Sequence, residues 1–225
     1  MKVGFLIYPR MQLMDLVGPL EIFEMWRHLN PQLENYLIAE NSGRIPCGVG
    51  VELEPRFTFM NAPDLDLLIV PGGYGRLEQV TNPSVIKFIQ RQARCCQKIA
   101  AVCTGAFLLQ AAGILIGKTV TTYWRALPEL ALDPTLTIAE ERIIRCAKVW
   151  SSGGVSSGID LALALIAELA GNQMAGKVQL MFEYFPSQQV YDTIPDLNDL
   201  PDYPHEAEGE GRRLPRYIQE YLQSQ

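Results

Sequence analysis

Histidine is scarce in this chain: two residues, His28 and His205, in 225. Nucleophilic catalysis by cysteine or serine usually places a histidine base beside the nucleophile. His28 falls late in a helical pattern and His205 in an acidic stretch, so a Cys–His pair is not expected. Positive charge is also short. Nineteen Lys and Arg stand against 25 Asp and Glu, for a net charge of -6, which argues against nucleic-acid or anionic-membrane partners. The five cysteines, at 47, 95, 96, 103 and 146, form no CxxC or other metal-ligand spacing, and their number is odd. Neither a metal centre nor a disulfide framework is expected, and a reducing, cytoplasmic setting is. Long uninterrupted apolar runs are missing as well. Residues 99–117 are broken by Thr104, Gly105, Gln110 and Gly113, which suits a strand and a buried helix better than a membrane span. The run Val3 to Tyr8 is too short for a signal peptide. Gly72-Gly73-Tyr74-Gly75 is not GxGxxG and has no P-loop lysine, so no nucleotide cofactor is expected.

What is present centres on Ile99 to Phe107. A short apolar run stops at Cys103, and Thr104-Gly105 then leads into the helix formers Ala106 to Ala112. This reads as a buried strand, a sharp elbow at the cysteine and a helix start. Small residues at Ala101 and Gly105 leave room for such a turn. A helix N-terminus aimed at the sulfur favours the thiolate, which makes Cys103 the candidate nucleophile and an unusually acidic thiol. The plainer alternative is a buried structural cysteine that ends a strand.

The remaining pattern decides between them. Val3–Tyr8, Tyr36–Ala39, Leu67–Val70, Ile99–Val102, Lys118–Tyr123 and residues within Ile138–Trp150 read as strands. Between them lie helices opening at Gly18-Pro19, at Pro83 and at Ser157, where Ser157 and Asp160 match a capping box. Gly43 to Phe59 reads as short antiparallel strands. Alternating strands and helices imply an α/β fold with a doubly wound, mostly parallel sheet and a site at the strands' carboxyl ends. Asp15, Gly72-Gly73, Cys103, Tyr123 and Ser152-Gly153 each follow a different strand, and that convergence favours the functional reading of Cys103. Residues 1–186 are expected to form this domain. Residues 187–225 read as an acidic, proline-broken arm with a short final helix, because 187–211 holds seven acids and no Lys or Arg.

Without histidine, Asp15 is the acid/base candidate, its alternative role being to cap the first helix. Beside Cys103 it would share a proton with the thiol. The N–H groups of Thr104 and Gly73 are expected to form an oxyanion hole, Gly72 letting the backbone approach closely. Tyr123 and Trp124 would supply an aromatic wall.

Four ordered segments carry a family resemblance: Asp15-Leu16-Val17-Gly18-Pro19-Leu20-Glu21, Val70-Pro71-Gly72-Gly73, Val102-Cys103-Thr104-Gly105-Ala106-Phe107 and Ser152-Gly153-Gly154-Val155-Ser156-Ser157-Gly158-Ile159-Asp160. With Gln179 to Tyr184 they make residues 2–186 resemble the DJ-1/PfpI superfamily, most closely its isonitrile hydratase-like branch and the sensor domains of related AraC-type regulators. The resemblance implies a flavodoxin-like, class I glutamine amidotransferase-like sandwich, a homodimer and no cofactor. It also implies Cys103 as nucleophile, Asp15 as its carboxylic partner and Thr104 in support. Thr104 and Tyr123 stand where peptidase- and glyoxalase-like members carry His. The implied activity is hydration of isonitriles to N-substituted formamides. The rivals are a glyoxalase-like aldehyde hydratase and a non-catalytic small-molecule or redox sensor; the residues after 187 do not read as a DNA-binding region.

Overall fold

The computed structural model describes residues 1–186, 190, 196–203 and 213–224. In chain order its elements begin with β1 (Lys2–Leu6), α1 (Leu13–Leu29), β2 (Glu34–Ala39), β3 (Ile45–Pro46), β4 (Glu52–Leu53), β5 (Phe57–Thr58) and β6 (Leu67–Val70). Then come α2 (Arg76–Gln79), α3 (Pro83–Cys95), β7 (Lys98–Val102), α4 (Ala106–Ala111), β8 (Thr119–Val120), α5 (Leu127–Leu130) and β9 (Thr137–Ile138). The chain closes with β10 (Ile143–Cys146), β11 (Val149–Ser152), α6 (Ser157–Ala170), α7 (Asn172–Met181) and α8 (Arg216–Gln223).

The central sheet runs in the order β10-β11-β7-β6-β1-β2-β5, and every pairing is parallel except β10 with β11. Strand β6 and all but the first residue of β1 and β7 are buried, which is why they read as continuous apolar runs. The fold is therefore the α/β, doubly wound, flavodoxin-like arrangement. Helices α1, α6 and α7 pack together, and α3 packs on α4. β1 has its chain successor β2 on one side and β6 on the other, so the winding direction reverses there and opens a crevice at the carboxyl ends. Asp15, Gly72 and Cys103 lie in the first turns beyond β1, β6 and β7.

Several expectations need correction. Helix α1 begins at Leu13 rather than at Gly18-Pro19, so Pro19 lies inside it and gives no N–H to the Asp15 carbonyl. Residues 118–123 do not form a strand of the main sheet. Only Thr119–Val120 is extended, and it pairs with β9 in a separate two-stranded sheet. Ser152 ends a strand instead of lying in a loop. The capping box is not made: Ser157 is already helical and the helix has no side-chain cap. Asp160 instead accepts from Arg142 Nε and Nη2 at 2.8 and 2.5 Å. Within 43–59 the antiparallel pair is β3–β4, whereas β5 joins the main sheet in parallel.

The described part of the C-terminal region is not a free arm. Arg213 pairs with Glu140, the Arg216 N–H donates to the same carboxylate at 2.8 Å, and residues 201–203 reach the crevice. The expected short final helix is present as α8, whereas His205 and the rest of the proline-broken stretch, apart from residues 190 and 196–203, fall outside the described residues.

Gly105 shows how tightly the elbow is built, because a Cβ there would lie 2.1 Å from the Val70 carbonyl oxygen. Gly105→Ala is expected to lower stability by about 2 kcal/mol or more. Gly176 is the opposite case, exposed in α7 with open space within 4 Å of where a Cβ would stand. Alanine there should add about 0.5–1 kcal/mol. Urea midpoints of the two variants should move in opposite directions.

Candidate active site

Cys103 stands at the end of β7 with φ 55°, a conformation that residues bearing a Cβ seldom adopt. Two hydrogen bonds hold it there. Its N–H donates to the Gly153 carbonyl at 2.9 Å, and its own carbonyl accepts from Thr122 Oγ1 at 2.8 Å. The residue is only 6% exposed. Burial first, and then the neighbouring Asp15 carboxyl, push the thiol well above its ordinary value of 9.0, while the N–H groups of Thr104 and Val155 pull it back. The expectation of an unusually acidic cysteine is thus reversed. The following segment is a single 3₁₀ turn and a six-residue helix, and its dipole does not outweigh desolvation.

Asp15 lies in the first turn of α1, fully buried. It does not cap its own helix. Its Oδ2 accepts from the Gly72 N–H at 2.9 Å, and its Oδ1 is buried with no partner of good hydrogen-bond geometry. Burial pushes its pKa up to about 8, against the Gly72 N–H and the Cys103 side chain, which lower it. At neutral pH it is therefore mostly the carboxylic acid, the protonation state that favours a thiolate beside it.

The Pro71–Gly73 loop joins the two groups. Tyr8 donates to the Pro71 carbonyl at 2.7 Å, and Gln12 N–H donates to that of Gly72 at 2.9 Å. A Cβ on Gly72 would lie 2.5 Å from both the N and the Oγ1 of Thr104, so only glycine allows the loop to rest on the elbow. The Gly73 N–H donates to Thr104 Oγ1 at 2.9 Å. It is therefore already engaged and does not form the free oxyanion donor expected with Thr104. The donors that meet the sulfur are the N–H groups of Thr104 and Val155.

Above Cys103 opens a cavity of about 290 Å³. Of the residues singled out in the sequence, Gly73, Cys103, Thr104 and Tyr123 line it. Trp124 does not; it packs on Tyr123, ring centroids 5.9 Å apart. Ser152 is buried in β11 with an unpartnered hydroxyl, and Gly153 acts through its carbonyl on Cys103. His28 is exposed at the far end of α1. Among the described residues no group of three or more His, Cys, Asp and Glu is placed to hold a metal ion.

The sequence reading missed Gln12, Tyr74, Arg76, Leu77, Arg125 and Val155 in this lining, together with Pro201, Asp202 and Tyr203. Arg76 carried no local signal. It is buried by a bidentate pair with Glu129, 53 positions away, at 3.0 and 2.5 Å, and lies over the Phe107 ring at 3.9 Å.

A family model described as the DJ-1/PfpI family matches residues 1–168. An isonitrile hydratase from Pseudomonas putida is 34% identical over 87% of this chain and 84% of its own length. A helix-turn-helix transcriptional regulator from Pseudomonas aeruginosa is 29% identical over 86% of this chain and 54% of its own length. Among solved structures, a family protein of the same kind from Pseudomonas syringae superposes with a TM-score of 0.77 at 29% identity, covering 98% of this chain and 84% of that one. DJ-1beta from Drosophila melanogaster, at 19% identity and a TM-score of 0.72 over 81% of this chain and 97% of its own, shares the fold.

The buried acid sets a pH dependence. Its folded pKa, about 8, exceeds the ordinary 3.8, so the folded state holds a proton that the unfolded chain has released between those values. Its contribution to stability is complete at low pH and is lost as pH rises toward 8. Asp15→Asn should match the wild-type melting temperature near the ordinary carboxylate pKa and exceed it at pH 8, read by thermal denaturation at both ends.

Proposed function

Because the chain belongs to the DJ-1/PfpI family, we propose that it hydrates isonitriles to N-substituted formamides through a Cys103 thiolate assisted by Asp15. The observation that supports this most is the pairing of a strained, buried cysteine with a buried carboxylic acid, with no histidine among the described residues that line the cavity. The similarity to an isonitrile hydratase over most of both chains points the same way.

The reactive form of the pair holds one proton. The Cys103 thiolate adds to the terminal carbon of the isonitrile, and Asp15 delivers its proton to that carbon, leaving a thioimidate and an Asp15 carboxylate. The carboxylate then takes a proton from water as the oxygen adds to the same carbon, and that proton passes on to nitrogen. In the tetrahedral adduct the hydroxyl proton returns to Asp15 while the C–S bond breaks. This releases the formamide and restores thiolate and acid. The N–H groups of Thr104 and Val155 stabilise the sulfur when it carries charge. Thr104, its hydroxyl engaged by Gly73, keeps loop and elbow in register. The reading brings with it a cytoplasmic homodimer that works without cofactor or metal. No described helix is long and apolar enough to cross a membrane.

Formamide release from a simple alkyl isonitrile tests the reaction. Cys103→Ala should abolish turnover, and Asp15→Asn should lower kcat by about 10²–10⁴. The absence of turnover by the wild type, with methylglyoxal consumed instead, would move the chain to the aldehyde hydratase reading. The pH profile follows from the proton count. Below about 8 the pair carries two protons and the thiolate is missing, so kcat/KM should rise as pH increases through that region.

A further inference from the structure

The C-terminal segment enters the cavity above Cys103, and nothing in the chemistry above uses it. Pro201, Asp202 and Tyr203 line that cavity, almost one hundred positions beyond the nucleophile. Tyr203 is seated on groups from two separate parts of the chain, 74–76 and 123–125. Its ring meets Tyr123 at 5.4 Å between centroids and 65°, and Tyr74 at 6.4 Å. The Arg125 guanidinium lies 5.5 Å from the ring centroid, and the Arg76 charge acts on its hydroxyl, drawing its pKa down against burial.

This seat is rigid where it matters. Arg76 is locked by Glu129 on one side and Phe107 on the other. A guanidinium held in this way presents its remaining N–H in a fixed direction. Tyr123 is backed by Trp124. An aromatic side chain loses only two rotatable angles on ordering and brings a large apolar face, so a tyrosine docked on four groups makes an effective wall.

We infer that Tyr203 is a specificity-determining residue of the Cys103 site: with Pro201 it walls the cavity on the solvent side and limits the width of the group carried by the electrophile. The inference rests on Cys103 being the reacting residue, and in its application to isonitriles on the function proposed above. Small or linear substituents fit the remaining space, and branched or cyclic ones meet the Tyr203 ring. Truncating the ring removes the wall and leaves the nucleophile and its acid in place.

Two measurements test this separately from turnover. The first is alkylation of the full-length protein by iodoacetamide and by a bulky N-aryl iodoacetamide, followed by peptide mass mapping. Exposed Cys95 serves as an internal reference in the same sample. At Cys103 the wild type should disfavour the bulky reagent by about tenfold relative to Cys95. Tyr203→Ala should bring that ratio close to one, and Tyr203→Phe, which keeps the ring, should retain the wild-type ratio. The second is kcat/KM for methyl, n-butyl, cyclohexyl and benzyl isonitriles, in which Tyr203→Ala should gain most on the cyclic members. An unchanged size ratio in Tyr203→Ala, in protein that melts like the wild type, would overturn the inference. So would loss of the ratio in Tyr203→Phe, because the discrimination would then come from the hydroxyl and its Arg76 contact instead of the ring. Should no isonitrile be turned over, the labelling ratios still decide the role of Tyr203, and only the hydratase reading fails.

Discussion

A side chain on a backbone at φ 55° is uphill by about 1–3 kcal/mol, and the surroundings of Cys103 are arranged to keep it there. Its N–H and carbonyl are both engaged, by Gly153 just beyond β11 and by Thr122 in the connection after β8. Gly105 lets the turn close against the Val70 carbonyl, and Gly72 lets the neighbouring loop settle on the elbow. Removing the strain would require loosening β6, β7 and β11 together. The parallel sheet, buried on both faces, supplies the rigidity that makes this costly.

Burial gives the site its second property. A carboxyl inside the protein would usually be paired with a cation, yet Asp15 is met by a backbone N–H and a thiol. Without a positive partner, the cheapest response is to keep a proton. The same desolvation that raises Asp15 also raises Cys103, so the two groups titrate as one coupled unit, which in the proposed mechanism reacts with a single shared proton. An acid that stays protonated at neutral pH can replace the histidine that this chain hardly has. Of the buried cations that line the cavity, Arg76 and Arg125, Arg76 is paired with the Glu129 carboxylate.

The cavity wall has a different origin from its floor. The floor is made by the first turns after β1, β6 and β7, brought together at the reversal of the winding. The wall comes from Tyr74, the Tyr123 connection and the segment around Tyr203. Loops can change in such places while the sheet that carries them is kept.

Much of this was legible along the chain. The apolar runs at Val3, Leu67 and Ile99 are strands because nothing polar interrupts them, and a helix does open at Ser157. Cys103 and Asp15 were singled out because each follows such a run, and position after a strand is a local property. What failed was what depends on partners. Asp160 looked like a cap and became the partner of Arg142, and the residues around Tyr123 looked like a strand but found no neighbour in the main sheet. The acidity of Cys103 was misjudged because a helix start can be read from sequence and desolvation cannot. The Gly73 N–H was engaged by a hydroxyl 31 positions away, and Tyr203 reached the cavity from a stretch whose composition suggests only solvation. The sequence alone determined the central strands, the elbow at Cys103 and the position of Asp15 after β1, because short-range pattern is enough for those. Tertiary structure decided their protonation, their hydrogen-bond partners and the wall of the cavity above Cys103, because those depend on which distant groups exclude water from one another.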